Sequence, residues 1–410
     1  MKPEVASQIA RMADDATDLL CKLIAIPSVT GDEAQVQVYL AEHLRTLGFD
    51  PQLIPIHSGI ESDEDYTPVP NHKGYQDRAN VVLSIPGSGG GRSILLNSHM
   101  DVVPGADELF KPRVEDGVIY GRGACDAKGQ CVVMILALNA LKAAGVKLKG
   151  DVTAEFVIEE EAGGNGALSV IMDGYRADGA IILEGTDLKI APANRGAVWF
   201  KLDVEGKATH MGRWREGVNA IDETTAILDI MREYEKELVA GSHGDPLFPD
   251  PASTVKVNLG TIQGGEWPSM VAPRCTVEGG IGFLPNKRLR EVRDEVRAAI
   301  EAGASEWAKE HYELTFNRLH NEAYRTDPEH PMVKALQACA ESVLGSGEIV
   351  GMTASCDARL FYHRGAMPTV VFGPSDISFA HAAHEQVKVA DLVSAAQILA
   401  GFLMDWCGVG

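Results

Sequence analysis

Positive charge is scarce in this chain. Against 58 Asp and Glu, its 410 residues set only 37 Lys and Arg, for a formal net charge of −21. That surplus of acid argues against nucleic acid or an anionic membrane surface as a partner. Long apolar runs are missing as well, since none approaches the ~20 residues needed to cross a bilayer. The opening Met1-Lys2-Pro3-Glu4-Val5 leads into a polar, helix-like segment without the apolar core of a secretion signal. Cysteine is sparse and odd in number. The seven (positions 21, 125, 131, 275, 339, 356 and 407) are scattered, mostly in apolar runs such as Cys131-Val132-Val133. They read as reduced, buried small hydrophobes, and the protein as cytoplasmic. The cluster Gly87-Ser88-Gly89-Gly90-Gly91 lacks the Lys-Ser/Thr of a phosphate-binding loop and precedes a strand, so it reads as a turn.

The length exceeds one ordinary core and points to two domains. Apolar residues at helical spacing run from Ile9 to Ile26, and a second helix follows the cap-rich stretch 28–33 and stops near Gly48. Strands are expected at 52–56, 80–85, 93–97, 152–158 and 179–183, with a helix apolar nearly all round from about 128 to 145. This alternation predicts an α/β fold with a mostly parallel, doubly wound sheet flanked by helices. From about Asn194 the pattern changes. Alternating Val198, Phe200, Leu202 and Val204, a helix 220–238, strands 254–261 and 274–283, a charged helix 287–309 and a strand 312–318 form a β-α-β-β-α-β set. That set reads as an inserted α+β domain at 194–320, with 1–193 and 321–410 forming the discontinuous first domain. Helix-strand alternation resumes at 331–344 and 368–372 and closes with a helix 390–406.

In Ser98-His99-Met100-Asp101, a histidine and a carboxylate two residues apart follow a buried strand and face the same way. A ligating imidazole commonly gives its other N–H to a carboxylate. His99, Asp126, Glu160 or Glu161, Glu184 and His381 each lie just after an expected strand or at a loop-helix junction. In a doubly wound sheet such positions meet at one edge, where ligands bind. A cluster of buried carboxylates wants a cation. Imidazole with carboxylate suits Zn²⁺, with Co²⁺ or Mn²⁺ as alternatives. The donors suffice for two metals if one carboxylate bridges.

The stretches Ser98-His99-Met100-Asp101-Val102-Val103-Pro104, Gly121 to Gly129, Glu159-Glu160-Glu161-Ala162-Gly163-Gly164-Asn165-Gly166, Glu184-Gly185-Thr186 and Ala380-His381-Ala382-Ala383-His384-Glu385 resemble, in order, the M20 metallopeptidase and deacylase family. Its members include acetylornithine deacetylase, succinyl-diaminopimelate desuccinylase and glutamate carboxypeptidase. The resemblance implies that His99 and Glu184 bind one metal, Glu161 and His381 the other, and that Asp126 bridges. It also implies that Asp101 orients His99 and that Glu160 is the general base for attack by metal-generated hydroxide. His210, in Thr209-His210-Met211-Gly212, would donate to the tetrahedral oxyanion. The inserted domain would act as a lid and mediate homodimerisation.

The departures fall mostly in that lid. Many relatives carry Asn-Val-Val-Pro and then Asp-hydrophobic-Arg, groups associated with holding substrate; here stand Met270-Val271-Ala272-Pro273 and Gly280-Ile281-Gly282. Arg359 is then a candidate for an anionic substrate group, with a salt bridge as its structural alternative. His384 is read as a polar filler, Lys128 as a binding cation or a structural lysine. The histidines at 43, 57, 72, 243, 311, 320, 330 and 363 are read as solvated or core residues. The function expected is a dinuclear, zinc-dependent amidohydrolase that removes an acetyl, formyl, succinyl or similar group from a small amino-acid-like or amine substrate. A dipeptidase or carboxypeptidase of the same family is the alternative among enzymes. A catalytically silent small-molecule binder is the alternative outside them.

Overall fold

The computed structural model describes residues 2–69 and 74–410, so the loop histidine His72 lies outside the described residues. The chain divides into two compact units. The first comprises Met1–Ala193, Arg325–Met352 and Cys356–Gly410, the second Asn194–Tyr324 and Thr353–Ser355.

At the centre of the first unit lie four parallel strands in the order Val152–Val157, Ile94–His99, Ala180–Ile182 and Thr369–Val371. Every residue of Ile94–His99, Ala180–Ile182 and Thr369–Val371 is buried. Burial along the whole strand is what parallel strands covered on both faces show. The flanks are antiparallel: Ala79–Ile85 and then Gln52–Pro55 on one side, Ile190–Asn194 on the other. The sheet is therefore mixed, with a parallel core.

The helix Lys128–Ala143 buries thirteen of its sixteen residues, which explains why its sequence shows no polar face. It packs against Val389–Cys407. This last helix corrects the expectation of no membrane-length run, because its 19 residues are long and apolar enough to cross a bilayer. Twelve of them, Leu392 and Phe402 among them, are buried, so that apolarity goes into the core. The run expected at 9–26 is two helices, Pro3–Arg11 and Ala13–Ala25. Six of the seven cysteines are buried and all are free.

The second unit is an antiparallel sheet in the order Lys256–Gly264, Arg274–Phe283, Gly196–Glu205 and Tyr312–Thr315. Val198, Phe200, Leu202 and Val204 point to one face and are buried. The helices Ala220–Gly241 and Leu289–Gly303 pack against the strands and each other. Trp199 and its odd-numbered neighbours point the other way. The expected helix 287–309 breaks after Gly303, because the Ser305 hydroxyl accepts the Ala308 N–H at 3.0 Å and caps a new helix, Glu306–His311.

Candidate metal centre

Adjacent parallel strands deliver the acids and imidazoles to one sheet edge. Ile94–His99 ends on His99, Val152–Val157 runs into Glu159-Glu160-Glu161, and Ala180–Ile182 leads to Glu184. Asp126 precedes the helix Lys128–Ala143, and His381 lies in the loop after Thr369–Val371. Asp126 stands in the middle. Its Oδ1 is 3.0 Å from His99 Nε2, and its Oδ2 is 3.3 Å from His381 Nε2. On one side Glu184 Oε1 and Glu160 Oε2 approach His99 Nε2 at 3.5 and 3.9 Å; on the other, Glu161 Oε2 approaches His381 Nε2 at 2.9 Å. Two three-residue groups result, His99 with Glu160 and Glu184, and Asp126 with Glu161 and His381, each with donor atoms within 4.8 Å of one another.

Buried partners hold these side chains. His99 Nδ1 is 2.9 Å from the Asp101 carbonyl oxygen but 3.4 Å from its carboxylate. The carboxylate also serves the acidic turn: Oδ1 accepts the Glu160 N–H at 3.1 Å, and Oδ2 accepts the Glu161 N–H at 3.2 Å and the Thr30 hydroxyl at 2.9 Å. Glu385 Oε1 accepts the N–H groups of Gly123, Cys125 and Asp126, while Oε2 receives Arg122 Nη1 at 2.6 Å. Glu385 thus cradles the turn that presents Asp126. Arg78, buried between Glu33 and Glu159, ties down the start of the acidic turn. Glu159 and His381 both hold φ at 61°, a conformation costing non-glycine residues about 1–3 kcal/mol each.

Burial and the mutual interaction of acids and imidazoles set the charge pattern of the site. Burial pushes the pKa values of Glu160 and Glu184 well above the usual carboxylate range and raises that of Glu161, with neighbouring carboxylates adding to each. Burial opposes the imidazolium of His99, yet Glu184, Asp101 and Asp126 hold its pKa well above the ordinary value. Hydrogen bonds to Asp126 and Glu161 raise His381 to about 10. Burial works against the Asp126 carboxylate too, but the two imidazoles keep its pKa low. Glu161 Oε1 is buried without a hydrogen-bond partner among the described residues. An orphaned carboxylate oxygen beside two imidazoles and three further acids fits divalent cations.

Other candidates sit elsewhere. Arg359 is only 2% exposed; its Nη2 donates to the Gly163 carbonyl at 2.9 Å, and its Nη1 lies 3.4 Å from Asp65. Arg359 therefore has a salt-bridge partner in Asp65, while its buried Nε has no hydrogen-bond partner among the described residues. Lys128 is fully buried and donates to the Leu23 and Ile26 carbonyls, a structural arrangement. His384 packs edge-on against Phe379. His210 belongs to the second unit, where it is exposed and its Nδ1 accepts the Gly212 N–H at 3.1 Å. Glu385 and Arg122 act as supports that no local sequence pattern marks, although Glu385 closes the same short stretch that carries His381.

Residues 95–405 match the family model described as peptidase family M20/M25/M40. The chain belongs to that family. This M20 chain is 26% identical over 406 residues to the N-formyl-4-amino-5-aminomethyl-2-methylpyrimidine deformylase of Bacillus subtilis (strain 168), covering 91% of this chain and 89% of the relative. It is 30% identical over 341 residues to the acetylornithine deacetylase of Myxococcus xanthus, covering 81% and 85%. Among solved structures, a tripeptidase from Staphylococcus aureus superposes with a TM-score of 0.76 at 19% identity, covering 96% of this chain and 98% of that one. The fold of the M20 chain is therefore that of amide-bond hydrolases, with a deacylase-like branch as its relatives.

Proposed function

We propose that the protein is a dinuclear metal-dependent deacylase that cleaves a formyl, acetyl or similar small acyl group from the nitrogen of a small amine. The observation that carries this reading is Asp126, whose two carboxylate oxygens face two imidazoles, each with its own carboxylates. His99 and Glu184 would hold one cation, Glu161 and His381 the other, with Asp126 shared. Imidazole with carboxylate favours Zn²⁺, with Co²⁺ or Mn²⁺ as alternatives. When bound, such cations polarise the amide carbonyl and acidify water.

Glu160 is the residue left over from that ligand set. It takes the proton of the attacking water and delivers it to the departing amine, a task suited to a carboxyl whose pKa is raised by burial. Transfer of this kind typically contributes ~10²–10⁴ in rate. Asp101 fixes the backbone of Glu160 and Glu161, so that one carboxylate can ligate while its neighbour works. His210 is assigned to the oxyanion. Arg359 braces the loop after the acidic turn through Gly163, and with its buried Nε lacking an acceptor among the described residues it is the candidate for an anionic group of the substrate. The relatives' names favour formyl and acetyl amides over peptides.

The second unit exposes Met211, Trp214, Ile262 and Trp267, each more than half accessible, which supports homodimerisation through that unit. The free cysteines support a cytoplasmic location. The deciding experiment pairs metal analysis with a base variant. Purified protein should bind about two equivalents of Zn²⁺, and Glu160→Gln should keep the metal while losing hydrolysis of N-formyl and N-acetyl amines. A folded protein that takes up no divalent metal would refute the assignment.

A further inference from the structure

His99, Asp126 and Glu184 reach the metal centre from three segments that no single strand ladder aligns. Ile94–His99 and Ala180–Ile182 are parallel neighbours, but their register runs from Leu95 with Ala180 to Asn97 with Ile182 and stops short of both His99 and Glu184. Past its end the Leu183 N–H donates to the Asn97 carbonyl at 2.8 Å. Asp126 lies outside the sheet altogether, just before the helix Lys128–Ala143. Something other than the ladder must fix how far apart these side chains stand.

Ser98 lies where the three segments meet. It is buried, and strand alternation turns its side chain away from that of His99. The hydroxyl stands 3.1 Å from the Leu183 carbonyl oxygen and 3.4 Å from that of Ala127, so its one hydrogen is shared between them. Leu183 immediately precedes Glu184, and Ala127 immediately follows Asp126. One hydroxyl, itself next to His99, thus touches the backbone beside two further ligands. Among the described residues no backbone N–H donates to the Leu183 carbonyl, so the hydroxyl is what satisfies that buried oxygen. The helix answers in kind. The Ala127 carbonyl accepts the Cys131 N–H at 3.1 Å, and the Cys131 thiol donates to the His99 carbonyl at 3.3 Å. Strand and helix each lend a side chain to the other's backbone.

We propose that Ser98 is a positioning residue of the metal centre, whose hydroxyl sets the spacing of His99, Asp126 and Glu184 by clipping together the backbone beside each. The proposal rests on the dinuclear reading above and deepens it with a group that touches neither ion nor substrate. Alanine nearly fills the same volume but offers no donor, leaving the Leu183 carbonyl buried and unpaired. The segments that present Asp126 and Glu184 are then free to drift relative to His99.

Two readouts on the full chain test this. In metal-free protein, hydrogen exchange followed by mass spectrometry should quicken about tenfold in Ser98→Ala across 94–99, 127–131 and 180–184 together, the loss expected for one buried hydrogen bond, with 198–204 of the second unit unchanged. Faster exchange confined to 94–99, or none, would overturn the proposal, because the hydroxyl would then hold only its own strand. In loaded protein, competition titration should show the Zn²⁺ equivalent on the His99 side weakened ~10–100-fold in Ser98→Ala, with the equivalent on the His381 side changed less. The visible bands of Co²⁺ bound as the His99-side equivalent should shift as well. A loss of general stability would not produce this split. Affinity on the His99 side within about threefold of wild type would overturn the proposal. Should Ser98→Ala not fold, Ser98→Cys, whose thiol is a weak donor, decides by the same two readouts. A wild-type protein that takes up no divalent metal would refute the dinuclear reading itself, and the exchange result alone would then decide whether Ser98 clips the three segments.

Discussion

Replacing Asp101 by Asn separates two accounts of this residue. The sequence pattern assigns its carboxylate to His99, whereas in the structure the nearer partner of His99 Nδ1 is the Asp101 carbonyl oxygen, which an asparagine retains. The carboxylate is fully buried and accepts two backbone N–H groups and one hydroxyl. An amide can replace only one carboxylate oxygen, and its NH₂ then faces an N–H of the acidic turn or must take the place opposite it. One hydrogen bond to a charged acceptor is lost, about 1.5–3 kcal/mol, and a buried donor is left opposed to another. A loss of about 2–4 kcal/mol in the unfolding free energy of metal-free protein follows, measurable by urea denaturation. The metal consequence is specific. With Glu161 displaced, affinity at the group formed with Asp126 and His381 should fall ~10–100-fold while the group around His99 stays tight, so a competition titration should turn from two strong equivalents to one strong and one weak. A variant within about 0.5 kcal/mol of wild type, or one that loses the His99 group first, would refute this account of the turn.

Glu385→Gln removes the charge that holds Arg122 and cradles the Asp126 turn, and should cost about 3–5 kcal/mol of stability by thermal or urea unfolding. Because His381 is raised to about 10 in the metal-free protein, it is protonated at pH 8, and loading with Zn²⁺ must displace that proton; calorimetry in buffers of different ionisation enthalpy should show net proton release, and zero release would contradict the geometry. The same shift has a sign for stability. A histidine raised from 6.5 to about 10 on folding contributes stability that is fully present below pH 6.5 and lost as pH rises toward 10, so the Tm of metal-free protein should decline across that window. His210→Ala should lower kcat ~10²–10³-fold with metal content unchanged, and an unaltered kcat would remove it from the reaction.

Much of the fold was legible because apolar spacing reports which face of an element is covered. Ile94-Leu95-Leu96 and Ala180–Ile182 read as short continuous apolar runs, and Gly196–Glu205 as alternation, for that reason. The breaks were harder, since the cap at Ser305 that interrupts the charged helix is a single hydrogen bond and leaves the helical periodicity intact. In the site, His99, Asp126, Glu184 and His381 announce themselves by following strands or opening a helix. Their supports do not: Arg122 meets Glu385 across 263 residues, and Arg78 meets Glu33 across 45, distances over which a lone charge carries no local pattern. Asp101 shows a subtler limit. Period two places it beside His99, but the neighbouring strand's turn, which no local pattern contains, offers its carboxylate better donors.

The two imidazoles that flank Asp126 differ sharply in shelter, with the His99 side chain 1% accessible and that of His381 54%. An ion held on the His99 side would have a fully buried imidazole as ligand, whereas one on the His381 side would have an imidazole about half exposed to solvent. Dialysis should therefore yield a half-loaded protein before an empty one, and isotope exchange should be biphasic. Preparations handled differently would then differ in activity without differing in fold, purely through how completely the outer position was refilled.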